Sequence, residues 1–138
     1  MRSFKIALAF LFIWATAAFA EPNPPVRSLS SGNVANASAA ATITSGANNF
    51  AFITGFEAAY AGATAGQCVN LTVTGVLGGT MTYPVCSPTG VTVAGVPLIV
   101  EFDPPLKASA VNTSIVVTLP ALGAGNTNAA VVAHGYIE

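Results

Sequence analysis

The chain contains a single histidine, His134, the side-chain type best suited to acid–base chemistry near neutral pH. Hydrolysis by a Ser-His-Asp arrangement would draw on Asp103 and one of many serines, but no G-x-S-x-G sequence or comparable context selects a nucleophile. A zinc site needs several His or Cys ligands, and one histidine with two cysteines supplies too few. We therefore expect no catalytic residue, no metal site and no cofactor, and we interpret His134 as an exposed residue on the last strand.

Two short segments have the composition of ligand-binding loops but lack the rest of the motif. Glu101, Asp103 and Lys107 lie close together around a proline-rich turn, where two carboxylates would suit calcium, but no D-x-D-x-D-G loop is present. Residues 123–128, GAGNTN, are rich in glycine but have no lysine and no following helix, both of which phosphate binding requires. We interpret the first segment as a solvated turn and the second as a hairpin loop.

The two cysteines, Cys68 and Cys86, predict one disulfide, because an even count in an oxidising compartment favours pairing. Residues 68–76 alternate apolar and polar side chains, and residues 80–85 resume an extended pattern, so the cysteines bound a predicted β-hairpin. A tight turn centred on Gly78-Gly79 would leave them out of register. Directly opposed cysteines therefore require either a turn centred near Leu77 or a bulge.

The N-terminal segment has the pattern of a cleavable signal peptide. Arg2 and Lys5 precede an apolar stretch over residues 6–17, and Ala18-Phe19-Ala20 matches a cleavage site before Glu21. We expect a signal peptide over residues 1–20, an extended or disordered linker over 21–36 and one β-sandwich domain over 37–138. The mature chain is then extracytoplasmic, in the periplasm, secreted or at the cell surface, with no membrane segment after cleavage.

Charged residues make up only 7% of the chain. Loss of Arg2 and Lys5 with the signal peptide leaves two basic and five acidic side chains, a net charge of −3. Without a basic patch we expect no nucleic-acid partner. Thr, Ser, Asn and Gly must make most contacts with water, so the surface repels its own copies weakly. This favours a subunit that associates with itself or with other surface or virion proteins, and a monomer with a neutral coat is the alternative.

Short β-type runs separated by turn residues predict an all-β fold, a single antiparallel β-sandwich of seven or eight strands, either jelly-roll-like or immunoglobulin-like. Residues 58–66 are predicted as a loop, and pairing is expected to stop at Asp103-Pro104-Pro105 because proline cannot donate to a ladder. The expected strands cover residues 39–44, 49–56, 68–76, 80–85, 91–93, 98–102, 113–119 and 128–137.

The last predicted strand has two distinct faces. Val131 and Ala133 share one face, and Val132, His134 and Tyr136 share the other. We expect the face opposite His134 to lie in the core. The strand is either central, in which case truncation is poorly tolerated, or at an edge open to association.

Aromatic side chains are the groups that a sugar-binding module would use. Phe50, Phe52 and Phe56 are among those whose alternation is that of core residues, and the exceptions are Tyr60 and Tyr136, which are therefore the expected ligand contacts. These two tyrosines support a carbohydrate-binding module, with a glycan as partner, as an alternative function.

Three segments carry a resemblance to a known group of proteins: ITGFE at residues 53–57, VTGVLGGT at 73–80 and GAGNTNAAV at 123–131. The chain resembles small, largely uncharacterised proteins of tailed bacteriophages and prophages over residues 50–136. The resemblance implies a virion-associated or surface-displayed β-sandwich and supplies no catalytic residues. The predicted signal peptide, the single cysteine pair, the low charge and a final strand with Val131, Val132 and Tyr136 also resemble chaperone-assembled pilus subunits, for which strand donation to an open edge is physically sensible.

Taken together, these patterns predict a non-enzymatic exported structural or adhesive surface subunit, with a phage-derived virion protein as one form of it. A secreted carbohydrate-binding module is the first alternative, and a secreted hydrolase is the second.

Overall fold

A computed structural model describes residues 24–138, and the predicted signal peptide lies outside the described residues. Within that range the chain forms eight strands and no helix. The strands are β1 (Arg27–Ser30), β2 (Ala39–Ile43), β3 (Ala51–Tyr60), β4 (Cys68–Thr74), β5 (Met81–Cys86), β6 (Leu98–Lys107), β7 (Ile115–Leu119) and β8 (Ala129–Ile137).

The strands form two four-stranded antiparallel sheets, in the orders β1-β8-β3-β6 and β2-β7-β4-β5. Four of the pairings are nested: β4 with β5, β3 with β6, β2 with β7, and β1 with β8. Because direction alternates along the chain, the loops that follow β1, β3, β5 and β7 meet at one end, which we call the groove end. The predicted all-β antiparallel sandwich is confirmed.

The core lies between the two sheets and is built from small and branched apolar side chains. Burial alternates strictly in β2 and β7, with one face of each strand inside and the other at the surface. Phe56 is the largest fully buried side chain, and the core also includes alanines such as Ala39 and Ala133. Other buried members are Ile43, Ile53, Leu71, Val73, Ile115, Val117, Leu119 and Val131.

The hairpin of β4 and β5 confirms the predicted disulfide between Cys68 and Cys86, which face each other directly with their Cα atoms 3.9 Å apart. The last pair of the ladder is Val73 with Met81, so the turn is centred on Leu77, one of the two arrangements that opposed cysteines allow. Gly79 N–H donates to Val76 O within this turn. Both Gly78 and Gly79 have φ of 103°, which residues with a Cβ rarely adopt.

A bulge at Thr54 divides β3 into two halves, and the set of alternate side chains that faces the core changes from odd-numbered to even-numbered residues across it. Pairing with both β6 and β8 shifts between Ile53 and Gly55. As a result Ile53 and Phe56 both point into the core although they are three residues apart, and Phe52 lies half-buried on the outer face. The prediction that Phe52 alternates as a core residue is therefore wrong.

Strand β6 continues past the two prolines at which pairing was expected to stop. Glu101 is opposite Gly55 and Leu106 is opposite Ile53, so the ladder is interrupted across Pro104 and Pro105 and then resumes. Since β6 is an edge strand, its prolines remove no hydrogen bond from a second neighbour. The prediction that pairing stops at these prolines is therefore wrong, because the ladder with β3 resumes after them.

The first strand lies inside the segment predicted as a linker. In β1, Arg27 is opposite Gly135 and Ser30 is opposite Val132, so the sandwich begins well before residue 37. In addition, β3 extends to Tyr60 into the predicted loop, and residues 91–93, predicted as a strand, form a turn.

Strand β8 lies between β1 and β3, so the alternative of a central final strand holds. Val131 and Ala133 are buried, and Val132, His134 and Tyr136 are half-buried on the outer face, in agreement with the predicted faces.

Candidate functional site

A groove with a volume of about 600 Å³ opens at the groove end of the sandwich. Tyr60, at the end of β3, forms part of its wall, and the other polar lining residues are Asn33, Thr92, Thr127 and Asn128. Val91 and alanines of β3, β8 and the β5–β6 loop supply the apolar surface. We call this site the end groove, and none of its lining residues is charged.

Backbone hydrogen bonds fasten the β5–β6 loop to the end of β3. Gly62 N–H donates to Val93 O at 2.7 Å, and Gly95 N–H donates to Tyr60 O at 2.9 Å. A Cβ atom at Gly95 would overlap the Tyr60 ring, so the ring lies directly against glycine backbone. The loop therefore holds the tyrosine in one place, and only glycine fits beneath it.

Asn126, only 1% exposed, joins the loops of the groove end from below. Its Nδ2 donates to Ala61 O at 2.7 Å and to Asn128 O at 3.2 Å, and its backbone carbonyl accepts from Asn36 N–H at 3.0 Å. A buried N–H donor is stable only when it is paired, as this Nδ2 is. The sequence places Asn126 in a hairpin loop but gives no signal that it is buried.

Two asparagine amides at the rim of the end groove are already oriented. Asn33 Nδ2 donates to Asn128 Oδ1 at 3.0 Å, and Asn128 Nδ2 donates to Thr127 Oγ1 at 3.0 Å. Within residues 24–138, Asn33 Oδ1, the Thr92 hydroxyl and the Tyr60 hydroxyl form no side-chain hydrogen bond. Burial raises the pKa of Tyr60, so its hydroxyl stays a neutral donor and acceptor at physiological pH. The groove thus combines an aromatic ring with free, uncharged hydrogen-bonding groups.

The two tyrosines expected as ligand contacts do not come together. Tyr60 is in the end groove, whereas Tyr136 is paired with Phe52 near the opposite end of β3. There the two rings stack with centroids 4.9 Å apart and planes 8° from parallel. The Lys107 ammonium lies 3.6 Å from the centroid of the Phe50 ring beside them. Tyr136 is thus covered on one side by a neighbouring aromatic ring.

His134 has two side-chain partners on the outer face of the sheet. Ser28 Oγ in β1 is 2.9 Å from His134 Nδ1, and His134 Nε2 is 3.5 Å from Glu57 Oε1 in β3. The carboxylate is Glu57 rather than Asp103, which sequence reasoning considered. No local pattern reveals the trio, because its members belong to three strands that pair over long separations.

The order serine, histidine, carboxylate is that of hydrolases, but the surroundings differ from those that catalysis uses. The Glu57 side chain is 55% exposed and that of His134 is 30% exposed, and both line a second cavity of about 310 Å³ together with Glu101 and Asp103. Catalytic charge stabilisation depends on a water-excluded site with donors aimed at the developing oxyanion. We interpret the trio as a hydrogen bond with Ser28 and an ion-pair contact with Glu57 that share His134.

Glu101, Asp103 and Lys107, the charged cluster noted in the sequence, are all exposed on β6. Among residues 24–138, no three His, Cys, Asp or Glu side chains are grouped so that they could hold a metal ion. In the same part of the chain there is no helix of the length and apolarity needed to cross a membrane.

Comparisons of the chain with protein-family models, with curated proteins and with solved structures give no significant match.

Proposed function

We propose that this chain is a non-enzymatic, exported subunit that acts through its surface, as a structural or adhesive component of a cell surface or virion. The strand orders β1-β8-β3-β6 and β2-β7-β4-β5 support a jelly roll rather than an immunoglobulin-like sandwich. Jelly rolls build viral capsids and lectin domains, in which the surface of the domain does the work. The low charge of the chain is compatible with close packing against neighbours.

The observation that carries the proposal is the open edge of β2. Proline and charge are two of the devices that normally blunt an edge strand. Three of the four edge strands carry one of them: β5 contains Pro84, β6 contains Asp103 and Pro104, and β1 contains Arg27. In contrast β2, with the sequence AAATI, has neither charge nor proline, and among the described strands it pairs only with β7.

The partner that fits this edge is a second copy of the chain. Two β2 strands related by a two-fold axis form an antiparallel pair, which joins two four-stranded sheets into one of eight strands. The hydrogen bonds would be made by backbone groups that otherwise contact water. Because β2 carries no charge, no electrostatic repulsion between the two strands opposes the pairing.

The test is the oligomeric state of residues 21–138 in solution. We expect analytical ultracentrifugation to show a concentration-dependent dimer, and Ala40→Lys or Thr42→Lys to make it monomeric with little change in Tm. Thr82→Lys is the matched control, since it adds the same charge to the outer face of the same sheet on β5. A wild-type monomer at all concentrations, or a dimer that Ala40→Lys leaves intact, would contradict assembly through β2.

Export is tested separately by the N-terminus of the protein recovered from a bacterial host. We expect mass spectrometry to find Glu21 as the first residue of an extracytoplasmic product, since the cleavage pattern precedes it. The disulfide of the hairpin supports this location, because disulfides persist in oxidising compartments. Intact Met1 in the membrane fraction would show that the segment is an anchor.

A further inference from the structure

We propose that the end groove binds a neutral saccharide, with one sugar ring against Tyr60 and its hydroxyl groups hydrogen-bonded by Asn33 and Thr92. This site goes beyond the proposed function, because self-association through β2 neither needs nor explains it. The residues that build it come from the loops after β1, β3, β5 and β7, so it depends on the whole topology rather than on one motif.

The dimensions of the groove suit a small ligand. Its volume of about 600 Å³ lies within the range of about 300–1,000 Å³ typical of small-molecule sites. The lining is largely apolar, with a few polar groups that face the same space, which is the usual composition of such sites.

The chemistry of the lining selects a sugar among small ligands. A sugar ring has an apolar face of C–H groups, which packs on an aromatic ring, and a rim of hydroxyl groups, each a donor and an acceptor. Tyr60 offers the ring, Asn33 Oδ1 accepts, and the Thr92 hydroxyl both donates and accepts. An amide oxygen and a hydroxyl that have no side-chain hydrogen bond within residues 24–138 are therefore placed beside an aromatic surface.

The absence of charge in the groove indicates a neutral sugar. A uronate or sulfated sugar would lose water around its anionic group and meet no cation in return, which is costly. Lys107 is not available, since it lies beside Phe50 at the other end of β3.

The groove is also organised in advance of binding. Asn126 holds the β3–β4 and β7–β8 loops together from below, and the hydrogen bond between Asn33 and Asn128 fixes the rim. Ordering loops on binding costs free energy, so a groove whose loops are already fixed retains more of its contact energy as affinity.

The test is an NMR titration of residues 21–138 carrying Ala40→Lys, which separates sugar binding from self-association. The neutral probes are maltohexaose, cellohexaose, xylohexaose, mannohexaose and the N-acetylglucosamine hexamer of chitin. The charged comparators are hexagalacturonate and a heparin hexasaccharide. We expect at least one neutral probe to shift the amides of Tyr60, Thr92 and Thr127 saturably, and neither charged probe to do so.

Variants then assign the contacts. We expect Asn33→Ala and Thr92→Val each to weaken binding by about 2- to 10-fold, the effect of losing one hydrogen bond. Thr82→Val is the matched control for the threonine change, and Tyr136→Phe tests the other tyrosine. Both should bind as the parent does. The proposal would be overturned if no neutral probe gave saturable shifts, or if a charged probe did. It would also be overturned if the shifts mapped to Phe52 and Tyr136, or if both groove variants bound with unchanged affinity.

Discussion

Removal of the disulfide tests how the hairpin of β4 and β5 is stabilised. In a Cys68→Ser, Cys86→Ser variant the native state should change little, because both cysteines are exposed and no core cavity is left. The other five pairs of the ladder, from Val69 to Val73 opposite Val85 to Met81, stay in place. The effect must therefore come mainly from the unfolded chain, which the cross-link constrains.

The size of that effect follows from the length of chain that the disulfide closes. The two cysteines are 18 positions apart, and the chain-entropy relation for a loop of this length gives about 3 kcal/mol. Domains of ordinary size have a free energy of unfolding of about 5–15 kcal/mol, so the variant should fold but lose a large share of its stability.

The assay is equilibrium unfolding in guanidinium chloride, followed by tyrosine fluorescence because the sole tryptophan, Trp14, belongs to the predicted signal peptide. We expect a lower midpoint and a larger m-value, since an uncross-linked chain exposes more surface on unfolding. Wild-type protein with a reducing agent is the control and should match the variant. A loss below about 1 kcal/mol with an unchanged m-value would refute the chain-entropy argument.

Three further outcomes are expected. Deletion of β8 should abolish cooperative unfolding, measured by thermal denaturation, because it removes the strand between β1 and β3; a monomeric, cooperatively unfolding product would contradict this. His134→Ala should lower the free energy of unfolding by at most about 1 kcal/mol, as expected for an exposed ion pair. A fluorophosphonate should not label Ser28 in the wild type, and labelling that His134→Ala abolishes would instead indicate a hydrolase. Burial raises the pKa values of Tyr60 and Tyr83 above 10.0, so the folded state holds these protons more tightly than the unfolded chain does. Tm should therefore be steady below pH 10.0 and fall above it, and a Tm that rises above pH 10.0 would contradict this reasoning.

The features that could be predicted from sequence are those that neighbouring residues determine. The alternation of Val69, Leu71 and Val73 identifies β4, and the positions of the two cysteines limit the hairpin to a turn centred near Leu77 or a bulge, of which the structure has the former. The two faces of β8 follow from alternation in the same way. A strand with one buried face shows its orientation in its own residues, wherever it pairs.

The features that could not be predicted depend on partners far away in sequence. The four residues of β1 contain no strand pattern, and only pairing with β8 makes them a strand. The outward position of Phe52 follows from the bulge at Thr54, which simple alternation does not show. Ser28 and Glu57 are brought to His134 by long-range pairing, and Asn33 and Thr92 reach Tyr60 only because loops of one end converge.

The nested pairing of the strands also sets the order in which the protein can fold as it is made. Only the hairpin of β4 and β5 joins neighbouring segments, whereas β1 and β3 both pair with β8, at the C-terminal end of the sequence. Until β8 emerges from the ribosome or a translocation channel, β1 and β3 present unpaired backbone to other chains, a state prone to aggregation. Long-range contacts of this kind also slow folding. We therefore expect the rate of folding to be limited by the arrival of the last strand, and a nascent chain stalled before residue 129 to need a chaperone.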